Sequence, residues 1–179
     1  AYFLPVMASS IVVAMIWRLL YNVNGVLNYL LNTIGLASVA WLSNPKITMV
    51  SITAAAIWQG FGFETVIFLA ALQSIPKELY EAATIDGAGP WQRFRSITLP
   101  SLRPVLFFVF CVGFIGAFQV FDLPYSIMKS QSNPGPEYAT LVYYLFSKFR
   151  DLRLGQASAI AYILFAILMF ISFIQWRYE

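Results

Sequence analysis

Gln59, Glu64, Gln119 and Asp122 each interrupt or border an otherwise apolar run, where a polar side chain is expensive to keep. Polar groups at such positions are candidates for function by default. Gln119 and Asp122 stand three residues apart, so a helix would put them on one face, with Phe118 and Phe121 beside them. An amide or carboxylate hydrogen-bonds hydroxyls, and an aromatic ring covers an apolar sugar face. Together they suit a polyol or a sugar. The bland alternatives stay open. Gln59 and Gln119 would serve equally as hydrogen bonds between helices. Glu64 and Asp122 would fit near an interface or beside a base, and the aromatics would fit lipid-facing or packing positions.

Other chemistry is excluded by composition. The sequence has no histidine, which removes His-based metal sites, His general bases and Ser-His-Asp triads. Its single cysteine, Cys111, lies in an apolar run, so neither a disulfide framework nor a Cys-rich metal site is available. No G-x-x-x-x-G-K-[ST] occurs, so the chain carries no P-loop of its own. A net charge of +3 scattered among apolar runs does not suit nucleic-acid binding. A membrane-embedded enzyme finds no support, because no metal cluster or pair of acids is present.

The elements that must carry these residues are membrane spans. Of 179 residues, 60% are hydrophobic and only 11% charged, against about 25% charged in an average globular domain. Ala1–Trp17, Pro104–Phe121 and Leu154–Trp176 contain no charge, and Ile47–Leu72 contains only Glu64. A span needs ~20 apolar residues. Four are expected: Ala1 to about Tyr21, Ile47–Leu72, Arg103 to Asp122, and Leu154–Trp176. All four are apolar around most of their circumference, which argues for helices over barrel strands. The fold class is therefore all-α, a polytopic transmembrane helix bundle. Ala56/Gly60, Gly113/Ala117 and Gly155/Ala159 have the spacing that lets helix backbones approach, although such residues are common in membrane helices anyway. The chain opens inside an apolar segment, without a starting Met or a basic leader, so residues 1–179 are expected to be an N-terminally truncated piece of a longer protein.

The connections differ in character. Asn22–Lys46, with Asn22, Asn24, Asn28 and Asn32 among leucines, suits an interfacial helix or a partly re-entrant segment. Ser130–Pro136 is a turn cluster, and Tyr138–Arg153 suits an amphipathic interfacial helix with Tyr143, Tyr144, Phe146 and Phe149. Basic residues divide almost evenly between the two sides, so the positive-inside rule does not orient the chain.

One connection has soluble-protein character: Gln73–Pro100, QSIPKELYEAATIDGAGPWQRFRSITLP. Pro76 can open a helix with Glu78 near its positive end. Gly87 is a natural stop, and Pro90 can open a second helix from Trp91 to about Thr98. Pro100 would then close the unit. Small residues at the tip allow another backbone to approach. An ordinary connecting hairpin fits these residues too, whereas tethering to apolar flanks argues against a DNA-binding unit.

Glu81-Ala82-Ala83, then Gly87 after three residues, then Ile97-x-Leu99-Pro100 after nine more, resembles the EAA loop of membrane subunits of binding-protein-dependent ABC importers. PKELYEAATIDGA, with W-x-x-F before I-x-L-P, resembles the carbohydrate-uptake branch, which includes the maltose and glycerol-3-phosphate permeases. The likeness extends to Trp58–Phe63, Leu69–Pro76 and Phe121-Asp122-x-x-Tyr125. A departure is Asn133-Pro134-Gly135-Pro136, where that family usually has a Gly-Gly-Pro turn.

The resemblance implies a permease of about six spans, of which these would be the last four, in a bacterial or archaeal cytoplasmic membrane. Partners would be a second permease chain, expected to be different, two ATPase subunits, and an extracytoplasmic solute-binding protein. ATP and Mg would be bound by the ATPases and no cofactor by this chain. Residues 74–100 would be a cytoplasmic coupling hairpin, with Glu81, Ala82, Ala83, Asp86, Gly87, Ile97, Leu99 and Pro100 engaging an ATPase. The substrate pathway would use Gln59, Phe63, Gln119, Phe121, Asp122 and Tyr125. An importer for a non-sugar solute and an ion-coupled secondary transporter remain as alternatives.

Overall fold

The computed structural model describes residues 2–128 and 140–177, and these residues are helical without a strand. The chain runs through α1 (Leu4–Met7), α2 (Ser10–Leu20), α3 (Val26–Thr33) and α4 (Pro45–Gln73). The hairpin follows as α5 (Lys77–Ile85), α6 (Pro90–Arg93), a π-helical turn (Phe94–Thr98) and α7 (Leu99–Ser101). Then come α8 (Arg103–Gln119), α9 (Asp122–Met128), α10 (Leu141–Arg150) and α11 (Leu154–Arg177). The Ser130–Pro136 turn, including Asn133–Pro136, lies outside the described residues.

Three stretches are long and apolar enough to cross a membrane: Lys46–Gln73, Arg103–Met128 and Leu154–Gln175. The expected first span is not one helix. It breaks at Ala8–Ser9, where both backbones are extended, and Ser9 caps α2 by accepting from the Val12 N–H. Ser10–Leu20 alone is a shorter apolar helix. The third stretch also breaks, at Val120 (ψ 122°), two residues before the expected end of the span, and helix resumes at Asp122. Pro124 explains this second break, because its ring would clash with the Val120 carbonyl in a continuous helix.

The core is small and lies where α2, α4 and α9 meet: Val13 and Ala14, Ile52 and Ala55, Leu123, Ile127 and Met128. Gly62 allows α1 to lie against α4, since a Cβ there would stand only 2.1 Å from the Tyr2 carbonyl oxygen. By contrast, a Cβ at Gly60, Gly113 or Gly155 would meet open space, so among the described residues no helix is packed closely over these three glycines. None of the most apolar 18-residue window in Arg103–Met128 is buried. That surface can be stable only against lipid or another subunit.

The connection after α2 is not a full span. It is α3 followed by extended chain, tied together by Asn28, which is 1% exposed. Its amide donates to the carbonyls of Val23 and Val39, both at 3.0 Å, and its oxygen accepts from the Val39 N–H (2.9 Å) and Trp41 Nε1 (3.0 Å). Tyr21 then donates to the Ser51 carbonyl at 2.8 Å, fastening this segment to α4.

Candidate functional site

The two helix breaks meet. Freed carbonyls in an apolar interior need donors, and the sequence supplies them from a distance. Gln59 Nε2 donates to the Ala8 carbonyl at 3.2 Å, and the Thr140 hydroxyl donates to the Val120 carbonyl at 2.9 Å. Around these ends lies a cavity of about 290 Å³ lined by Ser10, Gln59, Gln119, Phe121 and Asp122 among others. A neighbouring cavity of about 550 Å³ is lined by Ser9, Ser10, Arg18, Phe121, Asp122, Tyr125 and Ser126. Hydroxyl and carboxylate groups therefore line both cavities, with amides in the smaller and a guanidinium in the larger. Irregular backbone at membrane depth is tolerated where it lines such a cavity, and broken helices mark binding sites in transporters.

Five of the six residues expected on the pathway come together here. Phe121 stacks on Tyr125 with ring centroids 5.1 Å apart, and Phe146 of α10 closes on both at 5.0 and 5.4 Å. Gln59 acts first as the tie to Ala8, the interhelical role left open above, while lining the smaller cavity. Phe63 does not join: it is half exposed and lines neither cavity. Glu64 is exposed and also outside them. Arg18, Ser9, Ser10 and Phe146 escaped the sequence reading. Arg18 falls inside the expected first span, and after the break at Ala8–Ser9 the start of α2 lies beside Asp122.

The hairpin at the other end of α4 folds by local rules. Gly87 takes φ +76°, Ala88 N–H bonds the Ala83 carbonyl at 2.9 Å, and Gly87 N–H bonds the Thr84 carbonyl at 3.1 Å. This pair of bonds closes a Schellman stop. The two arms are joined by Tyr80 Oη···Thr98 Oγ1 at 2.8 Å and by Arg93 Nη1 donating to Thr84 Oγ1 at 3.0 Å. Pro100 does not close the unit. Helix continues through it because the turn Phe94–Thr98 widens to i→i+5 spacing, with Leu99 N–H on the Phe94 carbonyl. That widening spares Pro100 the usual clash with the carbonyl four residues back. Glu81, Ala82, Asp86, Gly87, Leu99 and Pro100 are exposed, whereas Ala83 and Ile97 are half-buried. Ile85 (88% exposed) and Trp91 (72%) add a bare apolar surface beside them. Neither was singled out from sequence, although apolar residues flanking a turn in an otherwise polar loop are a readable signal.

A family described as "binding-protein-dependent transport system inner membrane component" matches residues 1–178. The chain belongs to this family. Its members are permease subunits of ABC transporters, which are not themselves enzymes. The arabinooligosaccharides transport system permease protein AraP of Halalkalibacterium halodurans is 40% identical over 98% of this chain and 56% of its own length. The trehalose/maltose transport system permease protein MalF of Thermococcus litoralis is 36% identical over 93% of this chain and 56% of its own. This chain thus spans little more than half the length of these relatives. Among solved structures, a bacterial ABC transporter involved in import of the acidic polysaccharide alginate aligns with a TM-score of 0.81 and 26% identity, over 98% of this chain and 63% of that one.

Proposed function

We propose that this chain is part of the transmembrane subunit of an ATP-driven importer, forming the pathway for a sugar, oligosaccharide or polyol. The observation that carries the reading is the meeting of two helix breaks at one cavity lined by Gln59, Gln119, Asp122 and aromatic rings. Hydroxyl-rich solutes need many hydrogen-bonding partners and an apolar face, and this part of the bundle offers both. The transport of sugars by the relatives supports the same solute class.

The hairpin at residues 74–100 faces the cytoplasm and fits a groove of a separate ATPase, which binds ATP and Mg. Glu81 makes a polar contact there, Ala82 and Ala83 admit close packing, and Gly87 lets the tip turn. A second permease chain, two ATPase subunits and an extracytoplasmic binding protein complete the assembly. The bacterial alginate transporter solved in complex with an alginate pentasaccharide-bound periplasmic protein supports the last of these.

The test is uptake of labelled arabino- and malto-oligosaccharides by the assembled complex in proteoliposomes. Asp122→Asn should lower uptake kcat/KM by about tenfold, the equivalent of one lost charge-assisted hydrogen bond. Omitting the ATPase should abolish uptake. Uptake that persists without it would point to an ion-coupled transporter and overturn the proposal.

A further inference from the structure

A second chamber lies on the same face of α2 and shares Met15 and Arg18 with the first. Ile11, Met15 and Arg18 recur at i, i+4 and i+7, which places them on one stripe of the helix. Two cavities of about 550 Å³ each lie along that stripe, and Met15 and Arg18 line both. The inner one ends at Asp122, Phe121 and Tyr125, and the outer one at Asn22, Trp41 and Ser43. From Ile11 to Leu20 the stripe is about 14 Å long, too long for a single sugar ring.

The outer chamber offers ring faces and free donors. Trp41 spends its only donor on Asn28, and Tyr21 spends its hydroxyl on Ser51, so both present rings. Their centroids lie 5.7 Å apart. Asn22 uses its oxygen to accept from the Asn24 N–H, leaving its amide nitrogen free. Among the described residues the Arg18 guanidinium and the Ser43 hydroxyl are likewise free of hydrogen bonds. The chamber also sits beside the start of α4, whose 29 residues separate it from the hairpin by about 43 Å. That is the end at which a delivered solute arrives.

We infer that the outer chamber is a subsite for the trailing units of an oligosaccharide whose leading unit occupies the cavity at Asp122, with Arg18 holding the unit between them. This rests on the proposed function and narrows its solute to linear chains of two or more sugar units.

The experiment uses the complete importer with its binding protein in proteoliposomes, and labelled arabinose, maltose, and arabino- and malto-oligosaccharides of two to four units. Ser43→Trp fills the chamber from a residue that takes no part in the Asn28 tie, and Arg18→Met removes the junction donors. Ser43→Trp should lower the tetrasaccharide-to-disaccharide ratio of kcat/KM by about tenfold relative to wild type, and Arg18→Met the disaccharide-to-monosaccharide ratio by as much. An unchanged ratio in both variants overturns the subsite and leaves the proposed function standing, as does wild-type uptake confined to the monosaccharide. Wild-type uptake of none of these sugars overturns both.

Discussion

Gly87 separates a loop that merely turns from a loop that docks. Its φ of +76° lies in the left-handed region, where a side chain strains the backbone by roughly 1–2 kcal/mol. A Cβ built there meets nothing within 4 Å, and the tip is exposed, so a larger side chain can extend into solvent. Gly87→Ala and Gly87→Trp should therefore destabilise the isolated chain alike, within about 0.5 kcal/mol of each other. Gly87→Asn should cost less, because Asn tolerates this conformation. Coupling should obey a different rule. If the tip enters a groove on an ATPase, each added atom meets the partner, and overpacking costs about 1–3 kcal/mol, a roughly 5- to 150-fold loss of productive contact.

The assay pairs two measurements on the same three variants. Thermal unfolding of the purified chain in detergent reads the strain, and substrate-stimulated ATP hydrolysis by the assembled complex reads the docking. Docking demands that hydrolysis fall from Ala to Trp while stability does not. Equal coupled hydrolysis in Ala and Trp would refute the reasoning, since strain alone would then account for the glycine.

Two further outcomes follow from hydrogen bonds that span the chain. Asn28→Leu leaves the half-buried Val39 N–H and Trp41 Nε1 without acceptors, at up to about 1–3 kcal/mol each, so unfolding in detergent should occur at lower temperature, and an unchanged midpoint would count against the tie. Tyr80→Phe and Thr98→Val each break the bond between the hairpin arms, so a double-mutant cycle on unfolding free energy should return a coupling of about 1 kcal/mol, whereas additive losses would mean the arms are held by something else.

The hairpin was legible in the sequence and the cavity was not, and the difference is one of range. A Schellman stop is written within six residues, from Ala83 to Ala88, so the placement of Gly87 and Pro90 announces it. Pro100 misled only because the accommodating π turn carries no residue signature of its own. The break in α1–α2 looks, in sequence, like the middle of an apolar run, and that in α8–α9 falls just before the end of one. Pro124 was a readable warning for the second. For the first, the decisive partner is Gln59, 51 residues from Ala8, and no local pattern connects them.

The breaks also explain why a cavity forms at this place. An unbroken helix in lipid satisfies its own backbone and presents only side chains. Where it breaks, carbonyls and amides are released and must be met by polar side chains brought from elsewhere. Those side chains cannot all be consumed, since an amide has more valences than the one carbonyl it serves. Gln59 bonds Ala8 through its nitrogen and still lines the cavity beside Gln119 and Asp122. The same residues that stabilise the interruption are thus placed to offer a bound sugar, if one enters, the hydrogen bonds it would otherwise make to water. Replacing Gln59 with an apolar residue would therefore be felt in both stability and transport, and the two effects have one cause.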